Sequence, residues 1–355
     1  MYISQFIKST AKTLSHFKKV WEKKEKIIFE PNIDMEVFFP TSEWGGGQNT
    51  SVYKELVCID GAGFCGSSAF GDYLGEFSNV SSYGGVDLRE NPGRGKQNGY
   101  EVDFFREKGG ILDLERICYT NVGRIRDNAV HEFIKVATEY CNSGIPLYDD
   151  YFYYLCKKFV QNITNFVIHD SPTHITYVPK NLTVKEYRNY AKEMLTAFLR
   201  NIPSREILVI DNLMSISEPN AELLHDYFGD FKLLYVGCDP RDIYARARLL
   251  PGNDWVPVEP EVFVKSFKRV LPYYAKSKDE SILYVNFDEF CNDYETVSNK
   301  LNAFLGLKEE NHIDKFKYFD PKVSIHNTQV YNKIANQDAI NYIYNNLREY
   351  CFIPA

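Results

Sequence analysis

The stretch Val57–Leu74, VCIDGAGFCGSSAFGDYL, constrains the fold more than any other. A short apolar run (Leu56, Val57, Cys58, Ile59) gives way to Gly61, Gly63 and Gly66, then to Ser67 and Ser68. An amphipathic segment follows through Ala69, Phe70, Tyr73 and Leu74. This pattern predicts a strand, a glycine turn and a helix N-terminus. The first N–H groups of a helix lack partners and sit at the positive end of its dipole, so such a turn receives anions. The glycines let the backbone approach the anion closely, and the two serines add hydroxyl donors. A phosphate-like group is the expected occupant.

The rest of the composition narrows the class. The 355 residues are 44% hydrophobic, enough for one large core. A net charge of −7 argues against general nucleic-acid binding, which needs a basic surface. The 26 Tyr and 25 Phe form no local cluster and read as a Tyr-rich core and surface. Eight cysteines occur without CxxC pairs or His/Cys ligand spacing, as expected of buried thiols in a reducing compartment, and no metal site is expected. No run of about 18 apolar residues or apolar signal core is present, so a cytoplasmic protein is expected.

Residues 1–35 read as an amphipathic basic arm. Ile3, Phe6, Ile7, Leu14, Phe17, Val20 and Trp21 recur at helical spacing, with Lys8, Lys12, Lys18, Lys19, Lys23, Lys24 and Lys26 at other positions. Such a helix can rest on an anionic membrane surface, making the protein membrane-peripheral, or dock on the domain or a partner. Residues 50–355 read as a single α/β domain with a central parallel sheet flanked by helices. Gly84–Gly99 reads as an excursion at the mouth of the sheet and Tyr100–Glu115 as part strand, part turn. The region 120–200 reads as a mainly helical insertion, helical from Val122 to Val160 and with a strand at Phe166–Ile168. Thr183 to Glu186 is a capping box opening a helix through Phe198. Continuous apolar runs at Ile207–Ile210, Leu233–Val236 and Ile282–Val285 alternate with helical segments, as in a sheet covered on both faces.

Open α/β sheets bind ligands beyond the carboxyl ends of their strands. That rule gathers Gly61–Ser68, Asp211-Asn212 and Cys238–Arg248 on one rim. Asp239-Pro240 marks a second helix start there, with Asp as N-cap and Pro at the first helical position. Read literally, Gly61-x-Gly63-x-x-Gly66 is a dinucleotide fingerprint, with Asp87 or Glu90 as the ribose acid, and implies a Rossmann oxidoreductase. A Walker A loop needs a Lys that this turn lacks.

Several segments together resemble the sulfotransferases that use 3′-phosphoadenosine 5′-phosphosulfate (PAPS). Gly61–Leu74 resembles their 5′-phosphosulfate loop, roughly G-x-P-[KR]-[SG]-G-[ST]-[ST]. Leu233–Arg248, LLYVGCDPRDIYARAR, resembles their 3′-phosphate segment, roughly hhhhRDPRDxxxS. Ile282–Leu307 is similar to their late strand–helix segment, and Ser324–Tyr331 faintly to their C-terminal cofactor loop. The order along the chain also agrees. Three positions depart: Phe64 replaces the loop Lys or Arg, Cys238 the Arg of RDP, and Arg246 the Ser that helps hold the 3′-phosphate.

The resemblance implies a P-loop-like sulfotransferase fold and transfer of a sulfuryl group from PAPS to a hydroxyl of a glycan, glycolipid precursor or other small acceptor. It implies donor contacts at Gly63, Phe64, Cys65, Gly66, Ser67, Ser68, Arg241 and Arg246. Glu101 is the first candidate for the base, with Asp87 and Glu90 behind it, and His169 and His174 as alternatives. Asp211 can orient the acceptor or cap a turn, and Trp255 can stack a sugar or pack in the core. The departures also admit a non-catalytic or donor-switched member of the same fold.

Overall fold

The computed structural model describes residues 53–61, 63–83, 105, 109–120, 129–142, 148–168, 175–202, 204–211, 221–250 and 256–353. The N-terminal arm therefore lies outside the described residues, as does the Gly84–Gly99 excursion. The chain divides into two compact units, and the larger, residues 43–165 and 177–355, holds the sheet and the rim.

Five parallel strands build that sheet: β1 (Glu55–Gly61), β2 (Val80–Tyr83), β5 (Ile207–Asp211), β6 (Lys232–Gly237) and β7 (Ile282–Asn286), in the order β2-β5-β1-β6-β7. Ile59 of β1 pairs with Asp211 of β5 on one side and with Leu234 of β6 on the other. The apolar runs that predict β1, β5 and β6 are buried in the sheet. β2 escapes that signature because its sequence is VSSY, in which Ser81 and Ser82 occupy buried positions. A separate two-stranded sheet pairs β3 (Thr164–Ile168) with β4 (Ile175–Pro179).

Helix α1 (Ser67–Gly75) follows the glycine turn and leads to β2. One expectation needs correction in the stretch before β5. Residues 111–115 form a short helix, α2, continued by a π-helical turn at 116–120, rather than strand and turn. The turn entering α2 is closed by the Asp113 carboxylate, which accepts the Gly109 N–H at 3.0 Å, and by the Gly110 carbonyl, which accepts the Leu114 N–H at 3.0 Å. The helical pattern around 122–160 resolves into α3 (Ala129–Cys141) and α4 (Asp150–Ile163), the second capped by Asp149. The Thr183 capping box opens α5 (Val184–Asn201), with Thr183 Oγ1 accepting the Glu186 N–H at 3.2 Å and Glu186 Oε2 accepting the Thr183 N–H at 2.7 Å.

Helix α6 (Ala221–Phe228) precedes β6, and α7 (Pro240–Leu249) and α8 (Pro260–Ala275) connect β6 to β7. After β7 come α9 (Phe287–Asn292), α10 (Tyr294–Leu305), the short α11 (Pro321–Ser324) and the C-terminal α12 (Gln337–Leu347). An aromatic core locks α1 to α9 and α10. Phe70 stacks on Phe290 with centroids 4.7 Å apart, Phe290 on Phe319 at 4.3 Å, and the Tyr73 hydroxyl donates to Asn302 Oδ1 at 2.8 Å.

The far end of α1 is clamped by one buried carboxylate. Glu76 is fully buried, its Oε1 accepting the Tyr318 and Phe319 N–H groups at 2.9 Å each. Its Oε2 lies 2.7 Å from Nε2 of His312, whose ring stacks on Phe77. Glu76→Ala strips three groups of their buried carboxylate partner at once and should lower unfolding free energy by about 3–5 kcal/mol. Glu76→Gln keeps an acceptor oxygen for the two backbone donors and should cost clearly less; urea unfolding of both variants makes the comparison.

Candidate functional site

The rim forms where the sheet changes direction. From β1 the chain crosses through α1 to β2, towards one edge, and from the adjacent β6 it crosses through α7 and α8 to β7, towards the other. The crevice between the carboxyl ends of β1 and β6 is thus the switch point where open α/β sheets place ligands.

The turn after β1 is tight against β6. A Cβ on Gly61 would fall within 3.0 Å of both the Val236 carbonyl oxygen and Cys65 Sγ, so only glycine fits. Gly63, Phe64 and Gly66 adopt left-handed backbone angles, with φ of 68°, 51° and 81°. For the two glycines this costs little; for an aromatic side chain it is strained. Gly66 is the N-cap of α1 and supplies no side-chain cap, and a Cβ there would meet the Phe287 ring at 2.6 Å. The first-turn N–H groups of α1 therefore have no side-chain acceptor from the cap position. Ser67 is half-buried, Ser68 exposed, and Cys65 buried below them.

The second helix start is built differently. Pro240 opens α7 and Asp239 caps it, accepting the Arg241 N–H at 2.9 Å. This carboxylate is itself held: Arg241 Nη2 donates to Asp239 Oδ2 at 2.5 Å, and the Phe352 N–H donates to the same oxygen at 3.1 Å. Arg241 also donates to the Phe352 carbonyl at 3.2 Å and lies 4.0 Å over the Tyr331 ring and 5.0 Å over that of Tyr344. An anion is thus already present at the start of α7, and it is the chain's own Asp239.

Arg246 belongs to the glycine turn. Its guanidinium donates to the Phe64 carbonyl and to the Asn327 carbonyl, bridging the turn to the segment after α11, and it lies 5.9 Å over the Phe287 ring. The Cys238 thiol contacts the same Phe64 carbonyl at 3.7 Å. Burial, with Asp288 and Cys65 nearby, pushes that thiol well above its ordinary range, so it is a neutral group where the resembled family has an arginine. The turn of residues 63–68, Cys238 and Arg246 are accordingly brought together, while Arg241 faces the C-terminus. Asp211 ends β5, beside β1. Glu101, Asp87, Glu90, His169, His174 and Trp255 lie outside the described residues.

Sequence reasoning missed the acids beneath the rim. Asp288 Oδ2 accepts the Asp239 N–H at 2.7 Å, and Asp242 Oδ1 accepts the Tyr331 N–H at 2.9 Å. Both residues are buried. Burial pushes the Asp288 carboxyl up to about 7 and that of Asp242 to about 6, while Arg246 pulls both back. The signal for Asp288 was local: the Asn286 side chain accepts the Asp288 and Glu289 N–H groups, so NFDE is itself a helix start. Among the described residues no group of His, Cys, Asp and Glu side chains could hold a metal ion, and no helix is long and apolar enough to cross a membrane.

The raised Asp288 carboxyl has a thermodynamic sign. Between its ordinary value near 3.8 and about 7 the folded state keeps a proton that the unfolded chain releases, so this group's contribution to stability falls as pH rises through that window. Asp288→Asn removes the ionisation and keeps an acceptor for Asp239. Relative to the wild type its unfolding free energy should rise from about pH 4 to about pH 7 and level off above, which urea titrations across that range will read.

No family model and no curated protein matches the chain. Solved structures do. The sulfotransferase domain from the curacin biosynthetic pathway aligns at a TM-score of 0.39 and 11% identity, over 86% of this chain and all (100%) of that one. The sulfotransferase from Alicyclobacillus acidocaldarius aligns at 0.36 and 13%, over 84% of this chain and 97% of that one. Retinol dehydratase in complex with androsterone and inactive cofactor PAP aligns at 0.31 and 15%, over 86% and 84%. This chain is similar to those two sulfotransferases and to retinol dehydratase to that extent; with these TM-scores under 0.5, the functional reading rests on the rim itself.

Proposed function

We propose that the chain is a sulfotransferase-like enzyme that moves a sulfuryl group from PAPS to a hydroxyl acceptor, a glycan or another small molecule. The observation that carries this reading is the turn at residues 63–68: left-handed at three positions, without a side-chain cap on α1, and seated at the switch point of a parallel sheet. Backbone N–H groups of Cys65 to Ser68 and the two serine hydroxyls hold the phosphosulfate. Sulfuryl transfer, like phosphoryl transfer, asks the protein for positioning and charge stabilisation more than for covalent work.

Phe64 removes the loop cation of the resembled family, and Arg246 supplies charge from α7 instead. Its present partners are two neutral carbonyl oxygens. A phosphate forms stronger, charge-assisted bonds with a guanidinium fork than carbonyls do, so the donor outcompetes them. Arg241 assists from a distance by neutralising Asp239. The protein acts in the cytoplasm, and the basic arm of residues 1–35 gives it peripheral membrane contact. The finding that favours a non-catalytic member of the fold is the same exchange at Phe64 and Cys238.

Adenosine 3′,5′-bisphosphate should raise the melting temperature and NAD should not. Gly66→Val, which meets Phe287 and a left-handed backbone, should abolish that shift. Arg246→Ala should weaken the bisphosphate by roughly tenfold or more, in line with loss of a charge-assisted bond. Stabilisation by NAD alone would replace this reading with the oxidoreductase, and silence from both with a protein that has lost the donor.

A further inference from the structure

Asp72 sits on α1 four residues beyond Ser68, hence on the same helix face and about 6 Å along the axis. Helical side chains lean towards the N-terminus, so its carboxyl lies over the turn that presents the exposed Ser68 hydroxyl. Across from it is the carboxyl end of β5. A Cβ on the neighbouring Gly71 would lie 3.4 Å from Ser82 Oγ and 3.8 Å from Ile59 Cδ1, which fixes the sheet face that α1 covers. Asp211 is paired in register with Ile59 and shares that face. Ser82 shares it too, and its hydroxyl, in a residue only 6% exposed, has no hydrogen-bond partner among the described residues. A half-buried carboxyl, a buried carboxyl and an unpartnered buried hydroxyl thus line the α1 side of the rim, one helical turn from the anion turn.

We infer that Asp72, set against Asp211, is the base that takes the proton from the acceptor hydroxyl. This rests on the sulfotransferase reading above. The acceptor oxygen forms its bond to sulfur as the bond from sulfur to the bridging oxygen of the 5′-phosphosulfate breaks. The electron pair of that bond leaves with adenosine 3′,5′-bisphosphate, and the acceptor proton goes to Asp72 and then to water. Asp211 is a positioning residue, raising the proton affinity of Asp72 by like-charge repulsion.

The charges that face Asp72 agree with this role. Burial first, then Asp211 from β5 and Glu76 just past the end of α1, push its carboxyl up to about 7, where a base is both available and strong. Glu76 is held by His312 and two backbone donors. Ile59 is the β1 residue on this face and Ser82 the β2 residue, so neither strand adds a charge there. Asp60 points to the other face, level with Tyr235.

The test uses the full chain and PAPS, with water and a primary alcohol as acceptors, whose hydroxyls stay protonated across the pH range, alongside difference infrared spectroscopy of the protonated carboxyl. Asp72→Asn should lower kcat by about 10²–10⁴-fold. Its affinity for adenosine 3′,5′-bisphosphate should stay within about twofold, a binding result that also shows the variant is folded. The wild-type rate should rise with pH through about 7, and that limb should vanish in Asp72→Asn and move to lower pH in Asp211→Asn. Asp72→Glu should recover part of the rate. The infrared band titrating near neutrality should be missing from Asp72→Asn. A rate or acid limb unchanged in Asp72→Asn, or no turnover by a wild type that binds the bisphosphate, overturns the assignment of the base while sparing the donor site. Failure of the wild type to bind the bisphosphate overturns the sulfotransferase reading and the base with it. Absence of the infrared difference overturns the carboxyl pair on either result.

Discussion

The rim exists because β1 ends against β6 with no side chain between them. At Gly61 even a methyl group would strike the Val236 carbonyl, a backbone atom that cannot rotate away. The same device recurs where other strands leave the sheet: Gly66 lies against Phe287 at the start of α9, and Gly237 lies against the Tyr284 ring. Three strand exits are thereby drawn together, and the backbone of residues 63–68 is held by that packing and by Arg246, which donates to the Phe64 carbonyl, while Gly66, closed in by Phe287, has no side chain to offer the helix. This is why α1 begins without a cap. In an ordinary helix a Ser, Thr or Asp would satisfy the first turn, as Asp149, Thr183 and Asp239 do elsewhere in this chain.

The contrast between the two helix starts decides the electrostatics. At α7 the positive end of the dipole is matched by Asp239, and Asp239 by Arg241, so the region is closed on itself. Beneath it Asp242 and Asp288 add two further buried carboxyls, offset by backbone N–H donors and by the charge of Arg246. Fully ionised, that cluster would repel a polyanionic donor. Burial works the other way by favouring the protonated forms. The rim thus holds less negative charge than its sequence suggests, and Arg246 keeps its charge at the glycine turn.

Much of the fold was legible because it depends on local signals. Four of the five sheet strands are apolar runs, and the capping box and the Asp239-Pro240 start obey rules that span four residues. What escaped depends on distant partners. β2 is a strand through its pairing with β5, which outweighs the weak strand preference of Ser81 and Ser82. Arg241 looks from the sequence like a phosphate ligand, and its partners Tyr331, Tyr344 and Phe352 lie 90 residues or more further on. Asp72 reads as an ordinary surface acid of an amphipathic helix. Its neighbour Asp211 comes beside it only because β5 inserts between β1 and β2, an order that hydropathy does not encode.

The exchange of a loop cation for Phe64 is intelligible in these terms. Phe64 bears the same left-handed backbone cost that a lysine or arginine there would bear, so the exchange alters charge and not strain. Here the charge instead approaches the turn from α7, on a helix fixed by Pro240 and by the Asp239 cap. A guanidinium anchored on a helix loses less freedom on meeting an anion than one anchored on a loop. On the proposed reading, the chain trades a mobile cation for a placed one. The Phe64 and Asn327 carbonyls, which both accept from Arg246, fix that guanidinium at the turn.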